Sequence, residues 1–465
     1  MYPNDNPGSV TPPSDSDNMK KEETSDLFNT TSYGNGVLDN VEAGHADAVF
    51  GEVGEGDTNY QDVGWIGTVA LLMKTMIGLG VLSIPSAFDT LGLIPGIICL
   101  LVIAGITTWS DYIVGVLKMR HPEIYSIGDV GGLLFGRVGR EVMGGAFYWI
   151  FVAGSGILSI SIGLNAVSTH GACTAIFVAV AAIVGFSLSS IQTLVLAVTI
   201  AVGIQDRPAA APQTGHWESD YQLFKNPSFT EAITAVSSLI FAYAGTPAFF
   251  SIVAEMRDPR LYNRSLMVCQ SSVTAFYLTI GVVVYYFCGS YVASPALGSA
   301  GVLMKKVCYG LALPGLLATT TIVIHLPAKY IFIRLLRGSH HLTANTFVHW
   351  GTWLGCTFGI TIIAYLIASG IPVFGGLVSL IGALLGTLMC FQPYGCMWLY
   401  DNWSERKQEK SWKWVAMVAF SGFVIVSGTF LMIAGTYGSI VGIIDSYKVS
   451  GGSAAWTCAD NSNSV

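Results

Sequence analysis

From Ile94 to Thr108 the chain carries no charged residue, and apolar runs of this kind recur over most of its length. Such stretches cannot cover a water-facing fold. A soluble domain carries about 25% charged residues, whereas this chain is 11% charged and 52% hydrophobic. A bilayer core accepts them, because a helix of about 20 mostly apolar residues crosses it and satisfies its own backbone hydrogen bonds. The sequence therefore reads as an all-α polytopic membrane protein. Candidate spans lie near 65–90, 92–117, 142–168, 172–189, 191–204, 231–254, 266–290, 303–333, 346–369, 371–400 and 414–444, about eleven in all.

Charge placement decides how the stretch from Ala172 to Ile204 divides. It is long for one crossing and short for two. Two crossings, split near Ser187–Gln192, put Lys118, Arg120, Arg137, Arg140, Arg257, Arg260, Arg264, Arg334 and Arg337 on the side of a cytoplasmic N-terminus, as the positive-inside rule expects. One crossing would turn every later basic loop outward. With two, the sequons at Asn263 and Asn402 face the cytoplasm and stay unglycosylated.

The formal net charge of −7 comes largely from residues 1–62, which are rich in Asp, Glu, Asn, Ser and Gly. Such a segment reads as a disordered cytoplasmic tail, too poor in apolar side chains to offset ordering entropy. No nucleic-acid partner is expected from it. No positive n-region with an apolar h-region opens the chain, so the first membrane helix is expected to serve as the insertion signal. Residues 63–445 form the membrane domain, and 446–465 a short tail expected outside the cell. Eight of the nine cysteines sit in or beside apolar runs and Cys458 lies in the tail, with no disulfide framework, CxxC pair or other metal-ligand spacing. No metal and no cofactor are expected.

Two spans carry breaks. The first contains Lys74-Thr75-Met-Ile-Gly78-Leu79-Gly80-Val-Leu-Ser-Ile-Pro85, and the sixth Phe241-Ala-Tyr243-Ala244-Gly245-Thr246-Pro247. Glycine loosens a helix and proline removes a donor, so Gly78, Gly80, Pro85, Gly245 and Pro247 mark the expected breaks. Irregular backbone at membrane depth survives only where it lines a cavity or is buried in protein. Breaks in spans one and six are five helices apart, the spacing of two inverted five-helix repeats followed by an extra helix. Unwound segments at such positions present half-helix N-termini to an anion and carbonyls to a cation, near the midplane. An amino acid zwitterion carries both charges.

The first span, the Phe241–Pro247 stretch, the Ala254-Glu255-Met-Arg-Asp-Pro259 exit and the His325-Leu-Pro-Ala-Lys-Tyr-Ile-Phe332 run together resemble the amino acid/auxin permease family, in particular its fungal neutral amino acid permeases. The resemblance covers most of residues 60–445. It implies the 5+5 inverted-repeat (LeuT-like) amino acid transporter fold with one extra helix, and proton-coupled symport of neutral aliphatic and aromatic amino acids. One departure stands out: the family looks longer between Ser190 and Thr199, where a full fifth span is expected.

On this reading the substrate-binding residues are Thr75, Gly78, Leu79, Gly80, Phe241, Tyr243, Ala244, Gly245 and Thr246, and the partners are an amino acid, protons and the lipid bilayer. Candidates for proton coupling are Lys74, one turn before Gly78, His325 in span eight, whose imidazole titrates near neutral pH, and Glu255. For Glu255 an interfacial ion pair with Arg257 is the plainer expectation, and Asp111 likewise reads as a charge near the interface. Aromatic walls at Phe241, Tyr243, Phe249 and Phe250, with no carboxylate nearby, favour neutral substrates. The sequence shows no HExxH, no paired intramembrane carboxylates and no pore-loop filter, which argues against a membrane enzyme or an ion channel. A sensor that keeps the pocket without turnover, or a vacuolar exporter, remains an alternative to uptake at the plasma membrane. Oligomeric state is left open.

Overall fold

The computed structural model describes residues 62–153, 164, 207–208, 211–212, 214, 216–300, 302–342, 344–370, 374–403 and 412–450. Among these the chain is helical almost throughout. Helix α1 (Trp65–Met76) ends at Gly78, whose extended backbone (φ −132°, ψ −144°) stops the helical ladder. A 3-10 turn over Leu79–Ser83 leads into α2 (Ile84–Leu91), and the two halves are bent by 45°. Pro85, expected to be part of the break, instead opens α2. In the first turn its missing N–H is no loss and its fixed φ suits helix entry.

Helix α3 (Leu93–Arg120) follows directly after Gly92, which adopts φ +91° where the backbone of Phe224 and Lys225 crosses it. Helix α4 (Ile127–Ala153) begins well before the expected start of span three, and turns at Gly136 (φ +66°). Its first turn is set by Asp129, which accepts from the Ser126 backbone N–H and hydroxyl at 3.1 and 3.0 Å. The rest of span three and the expected spans at 172–189 and 191–204 lie outside the described residues.

Span six starts with α5 (Phe229–Ala242), fixed by a capping box between Ser228 and Glu231, and continues through a 3-10 turn at Thr246–Ala248 into α6 (Phe249–Ala254). The remaining elements are α7 (Tyr262–Cys288), α8 (Val302–Leu336), α9 (Phe347–Gly370), α10 (Phe374–Ile381), a π-helical turn at Gly382–Gly386, α11 (Thr387–Cys390), α12 (Gln392–Asn402) and α13 (Trp412–Ser450).

Six of these runs are long and apolar enough to cross a membrane, and the bent α1–α2 pair makes a seventh. Burial sorts them. The apolar window of Phe229–Ala254 is 83% buried, against 22% for Phe347–Gly370 and 17% for Trp412–Lys448. Span six is therefore central, and Phe347–Gly370 and Trp412–Lys448 face outward. Their exposed Phe358, Val426 and Ile433 present the apolar surface that lipid requires. Small residues bring the inner helices together. A Cβ on Gly382 would lie 2.0 Å from the Ser237 carbonyl oxygen, and one on Gly435 would lie 2.4 Å from the Ser237 hydroxyl, so α5 sits against both the π turn and α13 as membrane helices do at glycine.

Candidate functional site

The two interrupted segments touch. A Cβ on Gly80 would stand 2.5 Å from Ala242 Cα, and one on Gly245 would stand 3.0 Å from the Thr75 carbonyl oxygen and from Met76 Sδ. Thr75 and Gly80 of the first break therefore lie against the segment that holds Ala242 and Gly245. The second break is milder than the sequence suggests. Tyr243 and Ala244 donate to the Ile240 and Phe241 carbonyls, three residues back, and Ala248 donates to Gly245 in the same way, each at 3.0 Å. The ladder tightens to 3-10 spacing on either side of Gly245–Pro247, where Pro247 has no N–H to donate.

A residue absent from the sequence reading joins the two breaks. The Tyr277 hydroxyl of α7 lies 2.7 Å from the Met76 carbonyl, at the end of α1, and 2.7 Å from the Ala242 carbonyl, at the end of α5. One hydrogen serves two acceptors, so it is shared or alternates between them. The Tyr277 ring is fully buried and meets Tyr243 edge-on at 5.0 Å, and the Tyr243 hydroxyl lies 3.2 Å from that of Thr274. Phe249 and Phe250 are also fully buried, with Phe250 stacked on Tyr394, while Phe241 is half-buried.

Asp111 corrects the sequence reading most sharply. It is fully buried inside the protein. The Gln270 amide donates to its Oδ2, and its main-chain carbonyl accepts from the Tyr262 hydroxyl at 3.0 Å. Thr246, at the turn of span six, neighbours the carboxyl group. The expectation of no carboxylate near the breaks therefore fails, because the rotation of α3 turns Asp111 inward toward span six and α7.

The charged candidates fall in different places. Lys74 lies half-buried in the last turn of α1 and makes no hydrogen bond or ion pair among the described residues. A cation there complements the carbonyl end of the half-helix. Glu255 does not pair with Arg257, whose guanidinium instead binds Asp62. It accepts from Lys329 at 2.5 Å and from the Tyr125 hydroxyl at 3.2 Å, linking the end of span six to span eight. His325 lies on the exposed side of α8 with its ring edge-on to Trp353 at 4.9 Å, close enough to Lys329 and Glu255 to feel their charges. No cluster of three or more His, Cys, Asp or Glu fit for a metal occurs among the described residues.

Contacts among the described residues tie the chain together at each end of the interrupted segments. At one end Val63 donates to the Glu255 carbonyl at 3.2 Å and accepts from the Arg257 N–H at 3.0 Å, while the Ser265 hydroxyl donates to the Trp65 carbonyl. Arg264 stacks 4.4 Å above the Trp65 ring. At the other end the loop before α5 folds over the α2–α3 junction, where Leu93 and Ile94 donate to the Gln222 and Leu223 carbonyls at 3.0 Å. Lys225 pairs with Asp89 at 2.6 Å. Burial presses the Lys225 ammonium down, but the Asp89 carboxylate more than compensates and holds it above the usual lysine range.

A helical bundle whose first span is broken against the tightened turn of a sixth is the architecture of secondary transporters with inverted repeats. The solved inward-facing conformation of Mhp1 has this fold: it matches with a TM-score of 0.50 and 12% identity over 88% of this chain and 96% of that one. Closer in sequence are a transmembrane transporter of Gibberella moniliformis, 33% identical over 93% of this chain and 95% of that protein, and the N amino acid transport system protein of Neurospora crassa, 32% identical over 88% and 91%. Residues 61–441 match the family described as transmembrane amino acid transporter protein, and the chain belongs to that family.

Proposed function

We propose that this protein is a proton-coupled symporter of neutral amino acids. The observation that carries the reading is the contact between the two interrupted segments, bridged by Tyr277. Carbonyls at the ends of α1 and α5 receive the substrate's ammonium, and the N-terminal ends of α2 and α6 face its carboxylate. Tyr243 and half-buried Phe241 form an apolar wall suited to aliphatic or aromatic side chains. Coupling to protons in preference to sodium follows from Lys74. Its ammonium stands near the carbonyl end of α1, where a bound metal cation would meet like charge.

The basic loops favour a cytoplasmic N-terminus, and we assign the protein to the plasma membrane. Surface labelling of tagged protein tests this, and a vacuolar location would recast it as an exporter. The decisive experiment is uptake of neutral, basic and acidic amino acids into proteoliposomes with and without an inward proton gradient. Neutral substrates accumulating only with the gradient are expected; sodium dependence or gradient indifference refutes the coupling. Binding without uptake would identify a sensor. Lys74→Ala is expected to abolish the gradient effect, and unchanged proton-driven uptake removes Lys74 from the mechanism.

A further inference from the structure

Asp111 is enclosed by polar groups that satisfy one another only in part: the Gln270 amide donates to Oδ2. Ser110, Asp111 and Thr246 are fully buried and Gln270 is 3% exposed. Yet Ser110 Oγ, Asp111 Oδ1, Thr246 Oγ1 and Gln270 Oε1 make no well-aligned hydrogen bond, although the Thr246 hydroxyl stands within reach of the Asp111 carboxyl group. Such atoms are rare in folded proteins and call for an explanation. Tyr262 and Cys269 from α7, Cys390 from α11 and Tyr394 from α12 stand close enough to feel the carboxyl group's charge, and all four are neutral side chains. Most charges around it are engaged elsewhere: Lys118 with the Pro122 and Ile124 carbonyls, Arg120 with Asp401, Arg264 with Trp65, Lys225 with Asp89, and Glu255 with Lys329, while Lys74 on α1 makes no ion pair among the described residues. An isolated carboxylate charge is strongly disfavoured in such a place, whereas the neutral acid gains a hydrogen to donate to an orphaned oxygen.

Resting on the proton-coupled reading above, we propose that Asp111 is the carboxyl group that binds the coupling proton. The proton forms an O–H bond at Oδ1, converting carboxylate to acid, and leaves the same oxygen when the site opens to the opposite side. The acid O–H reaches the neighbouring Thr246 hydroxyl, so loading is felt at the Thr246–Ala248 turn of span six, beside the break. Proton occupancy and substrate occupancy then act on one stretch of backbone, which is the physical requirement for coupling two ligands.

The test uses the full chain in proteoliposomes, with radiolabelled leucine and phenylalanine as probes. An inward gradient of about two pH units supports about a hundredfold accumulation for one coupled proton. Asp111→Asn is expected to cut accumulation to the level without a gradient while exchange of internal for external substrate persists. Gln270→Leu, which removes the donor to the carboxylate, is expected to move the half-maximal pH of uptake to higher values; a merely structural role would lower the rate equally at every pH. Gradient-driven accumulation by Asp111→Asn, or loss confined to lysine and arginine uptake, overturns the assignment. If Asp111→Asn is not inserted, an unshifted pH profile in Gln270→Leu overturns it instead. A wild-type protein indifferent to the gradient would refute the transport reading itself, a different outcome from a gradient-driven wild type with an unaffected Asp111→Asn.

Discussion

The close approach of spans one and six gives a substitution whose effect can be worked out from geometry. In Gly80→Ala the new methyl carbon would sit 2.5 Å from Ala242 Cα, 2.9 Å from its nitrogen and 3.1 Å from its Cβ. Carbon pairs rest at about 3.5–4.0 Å, so the two backbones must part by about 1 Å. Neither obstacle is the end of a flexible side chain, so the strain cannot be relieved by a rotamer change, and overpacking of this kind costs about 1–3 kcal/mol. A binding cleft misaligned by about 1 Å loses up to about a hundredfold in efficiency. We expect a fall in kcat/KM for uptake of at least about tenfold, corresponding to 1.4 kcal/mol, with a monodisperse size-exclusion profile. Gly105→Ala in α3 is the control, because nothing lies within 4 Å of its added carbon. Wild-type uptake kinetics in Gly80→Ala would show that the two segments do not form a fitted site.

Tyr277→Phe leaves the Met76 and Ala242 carbonyls without their shared donor; a buried acceptor left unpaired costs about 1–3 kcal/mol, expected as a lower melting temperature and weaker substrate binding, and an unchanged pair of values would rule the bridge out. Lys329→Met strands the Glu255 carboxylate, about one-fifth exposed, and is expected to lower thermal stability more than the double change Lys329→Met with Glu255→Gln; a double-mutant cycle with zero coupling counts against the pair. At the opposite end, burial raises the Asp220 carboxyl group, but the Ser290 hydroxyl and N–H outweigh it and hold it below the usual range. Its contribution to loop docking is therefore complete above the unfolded value of about 3.9 and fades as pH falls through the lower folded value. Hydrogen exchange of residues 216–225 should rise only in acid, and a rise near pH 6 would contradict this.

The breaks were legible because lipid leaves so few alternatives. Glycine pairs and prolines in the middle of a span must be housed by protein, and the structure packs Gly80 against Ala242 and Gly245 against Thr75 and Met76. What linear spacing lacks is rotation about the helix axis. Asp111 lies two turns before Lys118, which looks interfacial along the chain, but its partner Gln270 comes from α7, 159 residues away. Glu255 failed as an Arg257 pair for the same reason: its partner Lys329 is 74 residues on, while Arg257 faces Asp62. Pro85 shows that a breaker at a helix's first turn is a start signal. The π turn at Gly382–Gly386 gave no warning beyond its small residues, since one inserted residue leaves the hydrophobic pattern intact.

The short parallel pairing at Val63 and Met256 is made wholly of main-chain atoms, donated by Val63 and Arg257 and accepted by Glu255 and Val63. Every amino acid but proline supplies those groups. This latch is therefore silent in an alanine scan, however much it matters: Val63→Ala or Met256→Ala would report only on their side chains. An imino acid at position 63 or 257 is the substitution that unfastens it.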